Sequence, residues 1–157
     1  MIPRAFLRAA TALLCIASSL ASLAQSKADH GYWRAGSKTA ASITGDIEIT
    51  DAKIIINFTG FEIVPARTLT PAEVSAAFDA DVNAGGTGTL YHLAIPADKR
   101  FLHKNTLCGT EDTQWMATFA SGTGLQLAFF SGPAAPVFNI DALANSTDLC
   151  GTFTYAR

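Results

Sequence analysis

Asp46-Ile47-Glu48-Ile49-Thr50-Asp51-Ala52-Lys53-Ile54-Ile55-Ile56-Asn57-Phe58 decides the fold class of this chain. Ile47 and Ile49 alternate with Asp46, Glu48 and Thr50, a period of two that separates an apolar face from a polar one. Asp51-Ala52 offers a tight turn, and Lys53 to Phe58 returns with Ile54, Ile56 and Phe58 on one face. The reading is a pair of half-buried antiparallel strands, whose carboxylates Asp46 and Glu48 belong to the solvent side. Beyond Phe58 the alternation changes phase, with Phe61 and Ile63 following across Thr59-Gly60. A one-residue slip would turn the side chains to the other face, so a bulge or bend is expected at Gly60.

Working outward, more short strands come into view. Thr89 to Ile95 alternates and ends at Pro96. Gln114 to Phe119 and Leu125 to Phe130 flank Ala120-Ser121-Gly122-Thr123-Gly124, a glycine-containing hairpin loop. Trp115, Ala117 and Phe119 are expected to face Leu125, Leu127 and Phe129. A short Val137-Phe138 strand and a final strand from Thr152 to Tyr155 follow. On the amino-terminal side, residues 25–41 are polar and small, which implies a frayed start and a strand from His30 or Gly31.

The helical signal is local. Thr70-Pro71-Ala72-Glu73 carries a capping threonine, a proline preorganised for the first helical position and the glutamate of a capping box. Val74, Ala77 and Phe78 then share a face, and the helix should fade by Asp81 before Asn83-Ala84-Gly85-Gly86. Asp141 to Asn145 is expected to form a helical turn. Together these elements predict a mainly β chain: a small antiparallel β-barrel or two-sheet sandwich with one short capped helix.

The first residues address the compartment. Arg4 and Arg8 precede an uncharged run from Ala9 to Leu20, and Ser22-Leu23-Ala24 has small residues at its outer positions. That is the order of a signal peptide over residues 1–24, which leaves a single domain over 25–157 that is exported to the periplasm or secreted. The apolar run is too short to span a bilayer, and Leu14 stands where a lipoprotein signal needs a small residue before Cys15. Loss of Arg4 and Arg8 takes the formal charge from −2 to −4. A mildly acidic chain with scattered cations carries neither the basic stripe of a nucleic-acid binder nor a polybasic membrane patch. The remaining cysteines, Cys108 and Cys150, each lie in a Leu-Cys-Gly triplet, and an even number in an exported chain predicts a disulfide between two strand ends.

Catalytic signatures are missing from the expected places. His30, His92 and His103 are scattered without metal-ligand spacing. Ser121-Gly122 and Ser131-Gly132 lack the nucleophile elbow, and Gly85, Gly86 and Gly88 follow a helix where a phosphate loop would precede one. The pair Glu111-Asp112 reads as a polar loop. Asp79, Asp81 and Asn83 place oxygen side chains at alternate positions, the spacing of calcium loops. They are weak calcium candidates, because Ala84 stands in place of the turn glycine and Leu90 in place of the bidentate glutamate. No cofactor is implied. Asn57-Phe58-Thr59 and Asn145-Ser146-Thr147 match the glycosylation pattern.

The pentapeptide Ala120-Ser121-Gly122-Thr123-Gly124 resembles the Ser-Gly loop of small secreted inhibitors of c-type lysozyme, which are mainly β and disulfide-stapled. In that family the loop enters the enzyme's cleft, which the resemblance implies for Ser121 and Gly122. The similarity covers this pentapeptide and the overall composition; Thr123 and Gly124 replace the basic and aromatic residues that normally follow. Two functional expectations result. The first is a non-enzymatic module binding a protein or a small apolar ligand, with Trp33, Ser121, Gly122 and Trp115 as candidate contacts. The alternative is an enzyme whose site is assembled in space from His92 or His103 with Glu111 or Asp112.

Overall fold

The computed structural model describes residues 27–81 and 83–157; the signal peptide expected over residues 1–24 lies outside them. Eight strands form a closed barrel in chain order. They are β1 (Gly31–Ala35), β2 (Ile47–Ile49), β3 (Lys53–Ile56), β4 (Thr59–Leu69), β5 (Thr87–Ile95), β6 (Thr113–Ser121), β7 (Gly124–Phe130) and β8 (Leu149–Ala156). Each pairs antiparallel with the next, and β8 returns to β1 through Arg34↔Ala156 and Ala35↔Tyr155. Among the described residues three short α-helices interrupt the meander: α1 (Lys38–Ile43), α2 (Pro71–Phe78) and α3 (Ile140–Ala144). Of the two architectures left open by the sequence, the barrel is the one formed.

Isoleucine alternation works as the first strands require. Ile47, Ile49, Ile54 and Ile56 point inward, where they join Trp33, Tyr91, Phe129 and Tyr155 in one contiguous core. An eight-stranded barrel is just wide enough for side chains to fill, and these fill it. A second core lies outside the barrel, where α2 and the 131–148 segment cover β5 to β7 with Val74, Phe78 and Phe138 against Leu90, Phe119 and Phe130. Helix α2 sits close because residue 88 is glycine: a Cβ there would lie 2.5 Å from Val74 Cγ2. Among the described residues, the outer surface of β1 to β3 has no such cover. Those strands have 5, 3 and 4 residues, whereas a bilayer-crossing strand needs about 9–11. Among the described residues, no helix is long and apolar enough to cross a membrane.

Several local expectations are corrected. The turn between β3 and β4 is Asn57-Phe58, with Ile56 paired to Thr59, so the phase change is a hairpin and not a bulge at Gly60. Phe58 therefore leaves the face of Ile54 and Ile56 and is fully exposed. The true β4 irregularity comes later, where pairing skips between Pro65 and Arg67. In the β6–β7 hairpin, Ser121 pairs with Gly124 around a two-residue turn, Gly122-Thr123. Gly122 has φ 55°, the positive value a first central glycine supplies at no steric cost. This register pairs Trp115, Ala117 and Phe119 with Phe130, Ala128 and Gln126, and sends Leu125, Leu127 and Phe129 inward. Helix α1 was not expected; Ser37 caps it by accepting from Ala40 N at 3.1 Å, and Ala40 is its one buried residue. Val137-Phe138 forms no strand, although Phe138 is buried.

The capping box of α2 is formed as read. Thr70 Oγ1 accepts from Glu73 N, and Glu73 accepts from Thr70 N at 2.9 Å. Arg67, redirected just past the β4 irregularity, adds a bidentate pair to Glu73 at 2.7 and 2.8 Å. That guanidinium, ahead of the backbone contact, holds the Glu73 carboxyl down to about 2 from an ordinary 4.5. A depressed carboxyl stabilises the fold above its unfolded value and loses that contribution as pH falls towards its folded value. Glu73→Gln should therefore cost about 0.5–1 kcal/mol at neutral pH, with the difference from the parent shrinking as pH drops from 4.5 towards 2 in acid-unfolding curves.

Cys108 and Cys150 are bonded, with Cα atoms 4.9 Å apart. One lies in the connection before β6 and the other within β8, so the bridge ties a long loop to the last strand. Their sequence separation is 42, for which chain-entropy reasoning gives about 4 kcal/mol. Replacing both cysteines by serine should lower stability by up to that amount, read from chemical unfolding midpoints.

Candidate functional site

Alternating strand direction divides the connections between two barrel ends. One end carries the 27–30 segment, the Thr50–Lys53 turn and the Gly122-Thr123 turn. The opposite end carries α1, the Asn57-Phe58 turn, the 96–112 connection and the disulfide.

A buried carboxylate organises the first end. Asp29 is 3 % exposed, and its Oδ2 accepts from Tyr91 Oη at 2.8 Å and Thr118 Oγ1 at 2.7 Å. Its backbone carbonyl accepts from Trp33 Nε1 at 2.9 Å. Burial, then the Asp29 charge, pushes the Tyr91 phenol well above its ordinary value, so it remains a donor to the carboxylate. Arg157 closes over this segment: its guanidinium lies 4.2 Å from the Trp33 ring and donates to the carbonyl of His30. His30 sits between Asp29 and Asp51, at 3.7 and 3.5 Å. Both distances exceed a hydrogen bond, and its buried Nε2 has no hydrogen-bond partner among the described residues. This network fastens the amino-terminal segment to the barrel mouth.

The opposite end has a different character. Register aligns Tyr32 of β1, Glu48 of β2 and Ile55 of β3 in a row across the uncovered outer face. With Phe58 and Leu102 they border an open groove of about 400 Å³. Tyr32 Oη donates to Asp46 Oδ2 at 2.6 Å, and Ala35 N donates to the other oxygen at 2.9 Å. The phenol and the backbone N–H hold the Asp46 carboxyl below its ordinary value, so it stays charged. Tyr32 is 55 % and Phe58 100 % exposed. Asn57 and Phe58 have φ of 48° and 62°, the left-handed pair of a type I′ turn that favours Asn-Gly.

The residues singled out from the sequence are dispersed. Trp33 is fully buried inside the barrel. Trp115 lies on the outer face of β6, edge-on to His92 at 4.9 Å, and its buried Nε1 has no acceptor among the described residues. Ser121 and Gly122 sit at the hairpin tip on the Asp29 end, away from Phe58. Asp79 ends α2 in a left-handed conformation, and Asp81 Oδ1 accepts from Asn83 N at 2.8 Å in a local turn. Among the described residues no group of three or more His, Cys, Asp and Glu could hold a metal. No hydrogen bond or ion pair among the described residues joins His92 or His103 to Glu111 or Asp112. His92 is engaged with Trp115, His103 Nδ1 lies 3.1 Å from Ser42 O, and Asp112 caps Ala97 N. The imidazole that does approach carboxylates is His30, whose neighbour Asp51 no local spacing could reveal. The Phe58 face was equally hidden, since its alternation reads as core.

Asp29→Ala should destabilise the fold by about 2–3 kcal/mol, because it takes the acceptor from the buried Tyr91 hydroxyl and leaves Thr118 only a long contact of 3.4 Å to the Thr89 carbonyl. Asp51→Ala, at a side chain 92 % exposed, should stay within about 0.5 kcal/mol. Thermal unfolding of both variants makes the comparison.

Comparison with protein-family models, with curated proteins and with solved structures finds no match to this chain.

Proposed function

We propose that this chain is an exported, non-enzymatic binding module that engages a protein partner through Phe58 and the outer face of β1 to β3. The observation that carries the reading is Phe58 itself. A bulky residue held at positive φ costs about 1–2 kcal/mol, and a ring that is 100 % exposed gains no packing in return. Strain of this kind with no internal compensation is the mark of a residue kept for something outside the fold. Tyr32, Ile55 and Leu102 extend the apolar surface around it, and aromatic anchors of this type carry much of the energy in protein interfaces. The interior, filled by side chains, favours the outside as the binding surface.

Phe58→Gly should separate the two roles. Glycine accepts the turn without strain, so the variant should melt higher by a few degrees, the shift expected for about 1 kcal/mol in a domain of this size. A photo-crosslinking residue at position 58 in the exporting host should give a discrete protein adduct, while the same residue at position 123, on the opposite barrel end, should not. Equal labelling from both positions, or none from position 58, would remove Phe58 as a contact.

A further inference from the structure

We infer that the partner presents a cationic side chain to this face: an arginine or lysine laid over Tyr32 and Phe58 and paired with Glu48. The inference deepens the docking reading above and rests on it. Ten residues line the groove, and among them are two carboxylates, Asp46 and Glu48, and no Lys, Arg or His. Asp46 already accepts from Tyr32 and from the Ala35 backbone, and Arg34 lies near enough to hold its charge. Lys53, the nearest cation along β3, stands opposite Glu62 in register. Glu48 is left in the middle of the row, exposed, with no hydrogen bond or ion pair to its side chain among the described residues.

An unpaired carboxylate between an aromatic ring and aliphatic surface selects its occupant by elimination. A purely apolar segment would cover Glu48 and strand a desolvated charge, which is costly. An anionic segment would meet two carboxylates of like sign. A cation with an apolar stem satisfies the carboxylate, stacks on the ring faces of Tyr32 and Phe58, and lays its methylenes along Ile55 and Leu102. The negative formal charge of the chain draws such a partner at longer range.

Two short probe peptides test this: acetyl-Gly-Arg-Leu-Gly-Arg-Leu-Gly-amide, and the same peptide with Glu in place of Arg. In nitrogen-15 amide spectra the arginine peptide should shift Tyr32, Glu48 and Phe58 but not Gly122 to Gly124. It should half-saturate at a concentration at least about tenfold below that of the glutamate peptide, a difference that narrows as salt is raised. Glu48→Lys, a change on the solvent side of β2, should weaken the arginine peptide by about tenfold or more while leaving the melting temperature near that of the parent. Equal binding of the two peptides, or undiminished arginine-peptide binding to Glu48→Lys, overturns the cationic partner. If position 58 still yields its adduct in that case, docking stands and only the cation fails. Absence of both adduct and peptide shifts takes away both.

Discussion

The barrel closes through a seam only two residue pairs wide, Arg34↔Ala156 and Ala35↔Tyr155. Those strands are the first and last of the fold, so the seam carries the largest loop-closure cost of any pairing in the molecule. Contacts around it compensate. Gly36 N and Ser37 N both donate to Thr154 O, at 2.8 and 3.1 Å, continuing the pairing beyond the ladder. Arg157 reaches from the end of β8 onto Trp33, while the Tyr155 hydroxyl lies 2.7 Å from that of Thr44 just after α1. Without this closure β1 and β8 would present open edges, the liability that a barrel removes.

The ends are held by different chemistry. At one, Asp29 gathers Tyr91 and Thr118 from strands distant in sequence, and a buried charge of this kind tolerates few alternative positions for the chain that bears it. At the other, Cys108–Cys150 binds the long 96–112 connection to β8, while the aromatic hydroxyl of Tyr32 only steadies a surface carboxylate. The mouth with the dense polar network is thus a latch. The opposite end exposes apolar groups beside Glu48, whose carboxylate has no internal partner among the described residues, and it is there that the proposed docking face lies.

The asymmetry around the barrel has the same origin. Strands β5 to β7 present Leu90, Ala117, Phe119 and Phe130 outward, and these need the cover that α2 and the 131–148 segment give. Strands β1 to β3 present Tyr32, Glu48 and Ile55, which leave that side open. The two sides of the barrel's outer surface therefore differ in what they bury.

Alternation in residues 46–56, the capping box at Thr70 and Glu73 and the pairing of two cysteines were legible in the sequence, because each depends on residues near one another or on simple parity. They determined a mainly β chain with a capped helix and a disulfide. Barrel against sandwich was settled only by the seam between strands at opposite ends of the chain, for which no local pattern exists. The position of Phe58 depended on whether the chain turned at Asn57-Phe58 or continued, and hydrophobicity alone favours continuing. The phase of the β6–β7 hairpin followed from a turn of two residues, and one residue's difference exchanged the inner and outer faces. Asp29 meets Tyr91 and Thr118 across separations of 62 and 89 residues. Tertiary packing alone could bring them together, because the cost of burying that carboxylate is offset only once both hydroxyls are in place.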